Sequence, residues 1–396
     1  MNKIQTVTYY MGAFLCLTTV GLLTACSDDS ADSAVSKREV HLTAGGRQYH
    51  VDDAEMTSAP GLTRTVTYPS SDWTAITPSD NMLVFIAKPN DNATSSDVSS
   101  RLFRFSATKD WQANVTITDT NPEYLIYGFM PMDAENSSDE VSISRLPLGG
   151  SGYEPNYKIG AQLTIRGLKV LTMSDPCVIV GVKKMEGKSS NVTLEWGKFG
   201  FNFTDGSGDI TDYMSILLDH IYSRFHFQMK VDASYAALRT IRITEMTLEA
   251  LDNTGSNTLR SVTATVDIRS NTTNSNPVSS ISYSRNAGER IFTLYDKKTT
   301  AGRELNATSF TEIGYCLAPY DQQWFRLTTK YDVLNRNGSL IRSDKAINKF
   351  NTTQLKTQHF QGTKPGVEHT IYITVTPTYL YQLSDPDLDN PTVVVN

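Results

Sequence analysis

Short apolar runs, many alternating with polar residues at period two, recur along this chain from residue 39 to its last residues. Glu39-Val40-His41-Leu42-Thr43-Ala44 alternates as a strand with one buried face does. Residues 82–87 and 124–129 are unbroken apolar runs bounded by turn residues, the pattern of strands buried on both faces. Between them Leu102, Phe103 and Phe105, then Val115 and Ile117, alternate as half-buried strands, and Leu163, Ile165 and Leu168, residues 178–182, and Leu194, Trp196, Phe199, Phe201 and Phe203 extend the series. Asp205-Gly206-Ser207-Gly208-Asp209 interrupts it and predicts a division of the chain. Beyond the break Tyr213, Ile216 and Leu217 fall at helical spacing within 211–218. Phe225, Phe227, Met229 and Val231 then alternate with His226, Gln228 and Lys230. Ile241 and Ile243 share one phase and Met246, Leu248 and Ala250 the other, so a bulge is predicted at Thr244-Glu245. Strand signals continue at 262–268, 291–295 and 313–317, and residues 325–334 and 339–347 flank Asn337-Gly338, a dipeptide that tolerates the positive φ of a tight hairpin. Ile371, Ile373 and Val375 alternate before Pro377, and 379–383 and 392–396 close the chain. The pattern predicts an all-β protein of short strands at sandwich spacing, with helix a minor component.

The front of the chain obeys different rules. An apolar run over 11–23 follows Lys3, ends in Leu23-Thr24-Ala25-Cys26 and gives way abruptly to Ser27-Asp28-Asp29. The run is shorter than the roughly 20 residues that span a bilayer. With its hydrophobic-small-small-Cys ending it resembles a bacterial lipoprotein signal, in which residues 1–25 are removed and Cys26, acylated through its sulfur, becomes the N-terminus. Ser27-Asp28-Asp29 resembles the acidic tag of surface-exposed lipoproteins in Bacteroidota, and Asp29-Ser30-Ala31 and Asp32-Ser33-Ala34 resemble O-glycosylation acceptors of the same bacteria. Residues 27–37 are too polar to pack and form a tether. Ala59-Pro60-Gly61 and Leu62-Thr63-Arg64-Thr65 form an exposed connection, with Arg38 and Arg47 in the same exposed leader.

Composition narrows the function. Of 396 residues, those left after the signal suffice for two domains at ~150 residues each. A net charge of -6 offers no basic field, so nucleic acid is excluded as a partner. Cys16 leaves with the signal and Cys26 carries lipid, while Cys177 and Cys316 each sit in an apolar strand-like run and are expected as buried free thiols rather than a bridge. His-Glu-x-x-His, Gly-x-Ser-x-Gly and a phosphate-cradling loop ending in Lys-Ser/Thr are all missing from the sequence, so neither an enzyme nor a cofactor is expected. The six histidines are scattered, and His226 falls on a polar strand face. Residues 385–390 place carboxylates at alternate positions, but the sixth place is Asn390 and the twelfth Asn396 where an EF-hand needs Gly and Glu, so a solvated turn is expected and no metal. Tyrosine is plentiful, and exposed aromatics stack on sugars, though in such a chain most serve as sheet residues.

The signal ending at Cys26, the strand at 39–44, Thr63-Arg64-Thr65, the stretch 218–227 (LDHIYSRFHF) and the closing Pro377-Thr378-Tyr379-Leu380-Tyr381 together resemble the fimbrillin superfamily of Bacteroidota, pilus subunits exported as lipoproteins. The resemblance implies two tandem transthyretin-like β-sandwich domains, 65–207 and 208–396, behind a signal (1–25) and a leader (26–64). It implies transport to the outer membrane on lipid, a cut by an Arg- or Lys-specific protease after Arg64, and release of a first strand whose Val40 and Leu42 had plugged a groove. A strand from another fimbrial subunit then fills that groove. In this chain the donor would be Tyr379, Tyr381 and Leu383, or Val393 and Val395. A sandwich lacking one strand exposes unpaired backbone and an apolar cleft, which gives such exchange its driving force. The alternative reading is a surface adhesive or glycan-binding lipoprotein that stays monomeric on its lipid.

Overall fold

The computed structural model describes residues 36–46, 50–51, 81–87, 98–106, 110–117, 123–132, 140–145, 160–187, 195–206, 209–269, 277–297, 302–352 and 364–375. Most of them are strand, as the alternation predicts; the α-helix among the described residues is α1 (Ala233–Ala236), one turn capped by the Asp232 carboxylate. Cys26, Arg64, Tyr379, Tyr381, Leu383, Val393 and Val395, and the acidic stretch 385–390, lie outside the described residues.

Eight strands form the first sheet: β1 (Ser36–Gly46), β3 (Asn81–Ala87), β4 (Val98–Phe105), β5 (Trp111–Ile117), β6 (Glu123–Met132), β9 (Cys177–Lys184), β10 (Gly200–Asn202) and β11 (Ile210–His220). Its order runs β10-β6-β3-β4-β5-β1-β11-β9, and β9 pairs back onto β6 at Phe129↔Val178 and Met130↔Cys177. Seven strands therefore close into a ring, which removes the exposed edges that an open sheet would carry. Alternate residues of these strands, including Val40, Leu42, Met82, Val84, Ile86, Phe103, Val115, Ile126 and Ile216, fill its interior. In β3 and β6 the intervening residues, Leu83, Phe85, Leu125, Tyr127 and Phe129, pack into a second core on the outer face. Burial on both sides is the physical reason these two stretches read as unbroken apolar runs. Gly128 interrupts one of them because a Cβ there would stand 2.6 Å from the Leu83 carbonyl and 2.7 Å from Ile179 Cδ1.

Three further sheets surround the second core. One runs β18 (Thr311–Pro319), β12 (Tyr222–Val231), β21 (Val367–Val375) and β2 (His50–Val51). Another runs β16 (Phe292–Asp296), β13 (Thr240–Leu251), β19 (Trp324–Leu334) and β20 (Leu340–Asn351), with β17 (Arg303–Glu304) on β13. The last joins β15 (Val278–Ala287), β14 (Leu259–Arg269), β8 (Gly160–Lys169) and β7 (Val141–Arg145). Strand pairing crosses the sequence break at 207/208 repeatedly: β11 joins β1 and β9, β14 joins β8, β21 joins β2, and Thr172 bridges to Leu317. After β2, β7 and β8 have already joined other sheets, the chain leaves the ring for the last time at Ile221, between β11 and β12.

Local expectations met mixed fates. The bulge in β13 falls between Ile243 and Glu245, and the β19–β20 hairpin turns through Asn335–Ser339 with Gly338 at φ 78°. The helical spacing at 211–218 is corrected: these residues are in β11, paired on both edges and buried from Met214 to His220, polar Ser215 and Asp219 included. A short stretch buried on two faces loses its period-two signature, so three apolar positions mimic a helix. Of the stretch read from Leu194 to Phe203, Leu194 lies outside the described residues and, of the rest, Gly200–Asn202 alone is strand, because Trp196-Gly197 turn, with Gly197 donating its N–H to the Val180 carbonyl. Strands β7 and β15 carry too few apolar residues to announce themselves.

Candidate functional site: strand β1 and the slot that holds it

Strand β1 lies inside the ring wall rather than at an edge. Antiparallel β5 pairs with it from Ser36↔Ile117 to Leu42↔Trp111, and parallel β11 from Arg38↔Ile210 to Gly46↔Leu218. Its even-numbered residues face the interior: Val40 and Leu42 are fully buried and Ala44 nearly so. Val40 and Leu42 are where the alternation placed them, and the sheet joins residues more than 160 apart in sequence to cover them.

Arg38 corrects the expectation of an exposed leader. It shares the parity of Val40 and Leu42, points inward and is only 2% exposed. Its guanidinium lies 3.4 Å from Asp212 Oδ2 and donates to the Thr204 carbonyl. Asp212, itself buried, also accepts from the Thr204 N–H at 3.0 Å and hydroxyl at 2.6 Å, and Lys184 Nζ stands 3.6 Å from its Oδ1. A buried carboxylate is tolerated when its lone pairs are filled this completely. The sequence signal was available, because period two puts residue 38 on the face of 40 and 42, but an inward arginine has no meaning until Asp212 is brought opposite.

The other face of β1 is also engaged. His41 Nδ1 lies 2.6 Å from Asp110 Oδ2, Asp110 accepts from Gln112 Nε2 at 2.9 Å and from Ser106, and the His41 ring leans on Tyr213 at 5.3 Å. The Thr43 hydroxyl reaches Met185 Sδ at 3.3 Å and Ser215 Oγ at 3.5 Å. β1 is thus held by two ladders, an apolar row, a buried ion pair and an outer polar network.

Three other groups bear on chemistry. Asp175, Cys177 and His220 meet beneath the end of β11, since His220 and Cys177 are register partners across β9 and β11. His220 Nδ1 stands 2.8 Å from Asp175 Oδ2 and 3.5 Å from Cys177 Sγ. This resembles a nucleophile-base-acid set, but all three are buried, and burial together with the Asp175 and Asp219 carboxylates pushes the thiol well above its ordinary range. No substrate reaches a sulfur held in this way. The sequence could not assemble the set, because 43 residues separate Cys177 from His220. Cys316 is likewise a buried free thiol with burial pushing it up, as expected of both cysteines. His226 is corrected from a solvent-facing residue to one partly enclosed: Nδ1 lies 3.1 Å from Glu368 Oε1 and Nε2 3.7 Å from Glu312.

No protein-family model matches this sequence, and no curated protein does. Among solved structures, a candidate cell adhesion protein from Bacteroides uniformis aligns over 87% of this chain and 94% of its own, at 12% identity and TM-score 0.37. One from Bacteroides eggerthii aligns over 87% and 88%, at 10% identity and TM-score 0.34. A fimbrial protein from Bacteroides vulgatus aligns over 78% and 94%, at 11% identity and TM-score 0.31. What this chain is similar to among solved structures, at low TM-score, is a group of Bacteroides fimbrial and candidate cell adhesion proteins.

Proposed function

We propose that this chain is a structural subunit of a surface fimbrium that supports adhesion, exported to the outer membrane as a lipoprotein on Cys26. An Arg-specific protease cuts after Arg64, the leader carrying β1 and β2 departs, and a strand from another fimbrial subunit takes the place of β1. The observation that carries this reading is the insertion of β1 between β5 and β11, with Val40 and Leu42 sealed inside the ring. Were β1 a dangling leader, its loss would change nothing. As it stands, loss opens a closed ring, strands the backbone groups of two neighbours and uncovers an apolar groove.

A groove with two unpaired walls binds an extended strand by adding ladders on both sides, with alternate side chains entering the interior. An incoming strand that buries four or five side chains at about 1.5–3 kcal/mol each gains roughly 6–15 kcal/mol before ordering costs, enough to sustain a noncovalent polymer. On this reading the leader is an internal placeholder that keeps the precursor soluble until it reaches the surface, and assembly needs no external energy source. The tail residues Tyr379, Tyr381 and Leu383, or Val393 and Val395, serve as the strand this chain donates.

The test is to treat residues 27–396 with an Arg-specific protease in the presence of a cognate subunit and to follow products on native gels, with Edman sequencing of the cut form. A polymer ladder and a new N-terminus at Thr65 are expected. An unchanged monomer would leave a lipid-tethered surface adhesin, and a different N-terminus would move the cut away from Arg64.

A further inference from the structure

Given strand exchange as proposed above, the slot itself specifies the chemistry of the strand that enters it. We infer that the strand replacing β1 comes from a different subunit, not from a second copy of this chain, and carries a lysine or arginine two residues ahead of its first inward apolar residue. The pattern of β1 is cation-x-apolar-x-apolar-x-small over Arg38, Val40, Leu42 and Ala44, all facing the interior. When β1 leaves, Asp212 keeps Thr204 and Lys184 on Oδ1 and loses the Arg38 guanidinium from Oδ2, and any strand that refills the slot buries that oxygen again. A strand without a cation at that place leaves a buried carboxylate oxygen facing low dielectric, so it is rejected in favour of one that restores the pair.

The tail of this chain fails that requirement. Residues 376–396 contain three aspartates and no lysine, arginine or histidine. Laid into the slot in the direction of β1, Tyr379 to Leu383 would put Pro377 at the place of Arg38, and Val393 to Val395 would put Pro391 there. Proline brings neither the charge nor a backbone N–H. Laid in the opposite direction, Tyr379 to Leu383 would put Asp385 against Asp212, a like-charge contact in a buried place. The tail therefore suits the slot of a subunit that lacks an inward carboxylate, and two kinds of subunit alternate or follow one another in a fixed order.

To test this, a site for a sequence-specific protease is placed within 52–64 of the chain 27–396, the protein is cut, and labelled peptides are offered to it. The peptides are 36–46, its Arg38→Ala and Arg38→Lys variants, and 376–396, with entry read by fluorescence anisotropy. Expected are entry of 36–46, entry of the Arg38→Lys variant within a few fold, and at least a tenfold loss for Arg38→Ala and for 376–396; an Asp212→Asn protein should narrow the gap for both. Entry of Arg38→Ala or of 376–396 as readily as 36–46 overturns the inference while leaving strand exchange intact. Failure of 36–46 itself to enter overturns strand exchange and the inference with it.

A separate observation, independent of polymerisation, concerns Asp175, Cys177 and His220. The geometry points to a structural binding site for a borderline-soft divalent cation, zinc being the class that fits. Asp175 Oδ2 and Cys177 Sγ both converge on His220 Nδ1, at 2.8 Å and 3.5 Å, and the fully buried Asp175 carboxylate is faced, among the described residues, by the Cys177 thiol and the His220 ring alone. A tetrahedral zinc with sulfur at ~2.3 Å and nitrogen at ~2.05 Å separates those two donors by about 3.6 Å, the spacing seen here to within 0.1 Å. Asp175 Oδ2 supplies a third donor, the fourth position is left to a water that can donate to Oδ1, and thiolate plus carboxylate neutralise the ion. Opening the Asp175–His220 contact by roughly half an ångström is the adjustment required.

Metal analysis of the purified chain 27–396 is expected to find about one zinc per chain. Co2+ exchanged into the site should give a thiolate-to-cobalt charge-transfer band that Cys177→Ser abolishes and Cys316→Ser leaves alone. Chains that hold no metal and give no such band with Co2+ would overturn the site, whatever the variants do.

Discussion

Strands β1 and β21 are built alike and protected differently. Each lies parallel to one of two consecutive strands, β1 on β11 and β21 on β12, which meet at Ile221. The second edge of β1 is sealed by β5 from Ser36 to Leu42. Among the described residues, the second edge of β21 carries β2 alone, at Val367 and Glu368. The inward row of β1 is buried throughout, whereas that of β21 goes from buried Ile371 to half-buried Ile373 and Val375. Equal pairing geometry thus gives unequal stakes. A strand bonded on both edges around a closed core cannot leave without leaving a vacancy of its own shape, and that property is what the proposed exchange requires.

The largest contrast should come from the core. Leu42→Ala is expected to cost about 2–5 kcal/mol in denaturant unfolding, because the ring is too constrained to collapse around the lost methyls. Thr374→Ala, on an exposed position of β21, marks the other extreme and should stay within about 0.5 kcal/mol. Equal effects would erase the distinction between the strands.

Arg38→Ala should follow closely, at about 3 kcal/mol, the low end for a broken buried pair because Thr204 and Lys184 still face Asp212. An Arg38→Met, Asp212→Leu double variant should recover much of that loss, since apolar replacements remove both desolvation penalties. If the double variant is worse than the single, the pair itself is stabilising.

A smaller effect distinguishes β21 by pH. The hydrogen bond and charge of Glu368 outweigh burial and raise His226 above its ordinary value. Burial lifts Glu368, but the His226 hydrogen bond and the Arg224 charge outweigh it and leave that carboxyl lowered. A histidine whose folded value is raised contributes fully below its unfolded value near 6.5 and loses the contribution as pH climbs through the folded one. A carboxyl whose folded value is lowered contributes above its unfolded value and loses it as pH falls. The wild-type advantage over His226→Gln should therefore be larger at pH 5.5 than at 8.5, as read from paired denaturation curves, and a flat difference would remove the ion network as its source.

Much of the fold was written in periodicity. The strand at 39–44, the two-faced burial of 82–87 and 124–129, the phase switch at Thr244-Glu245 and the turn at Asn337-Gly338 are local patterns, legible because backbone alternation and positive φ are properties of a few adjacent residues. β11 was misread for the complementary reason: enclosed on both faces, it has no polar phase to reveal its period. Arg38 and His226 were assigned to solvent because their partners, Asp212 and Glu368, lie 174 and 142 residues away.

The sequence by itself determined that this is a β protein with alternate residues of 39–44 bound for a core. It could say nothing of which strands would flank that segment. Only the tertiary structure decided that β1 closes a ring, that Arg38 turns inward to a carboxylate, and that Asp175, Cys177 and His220 share one corner. The physical reason is that alternation is set by the backbone of one strand, whereas ring closure and charge pairing depend on register between strands far apart in the chain, which no short window of residues encodes.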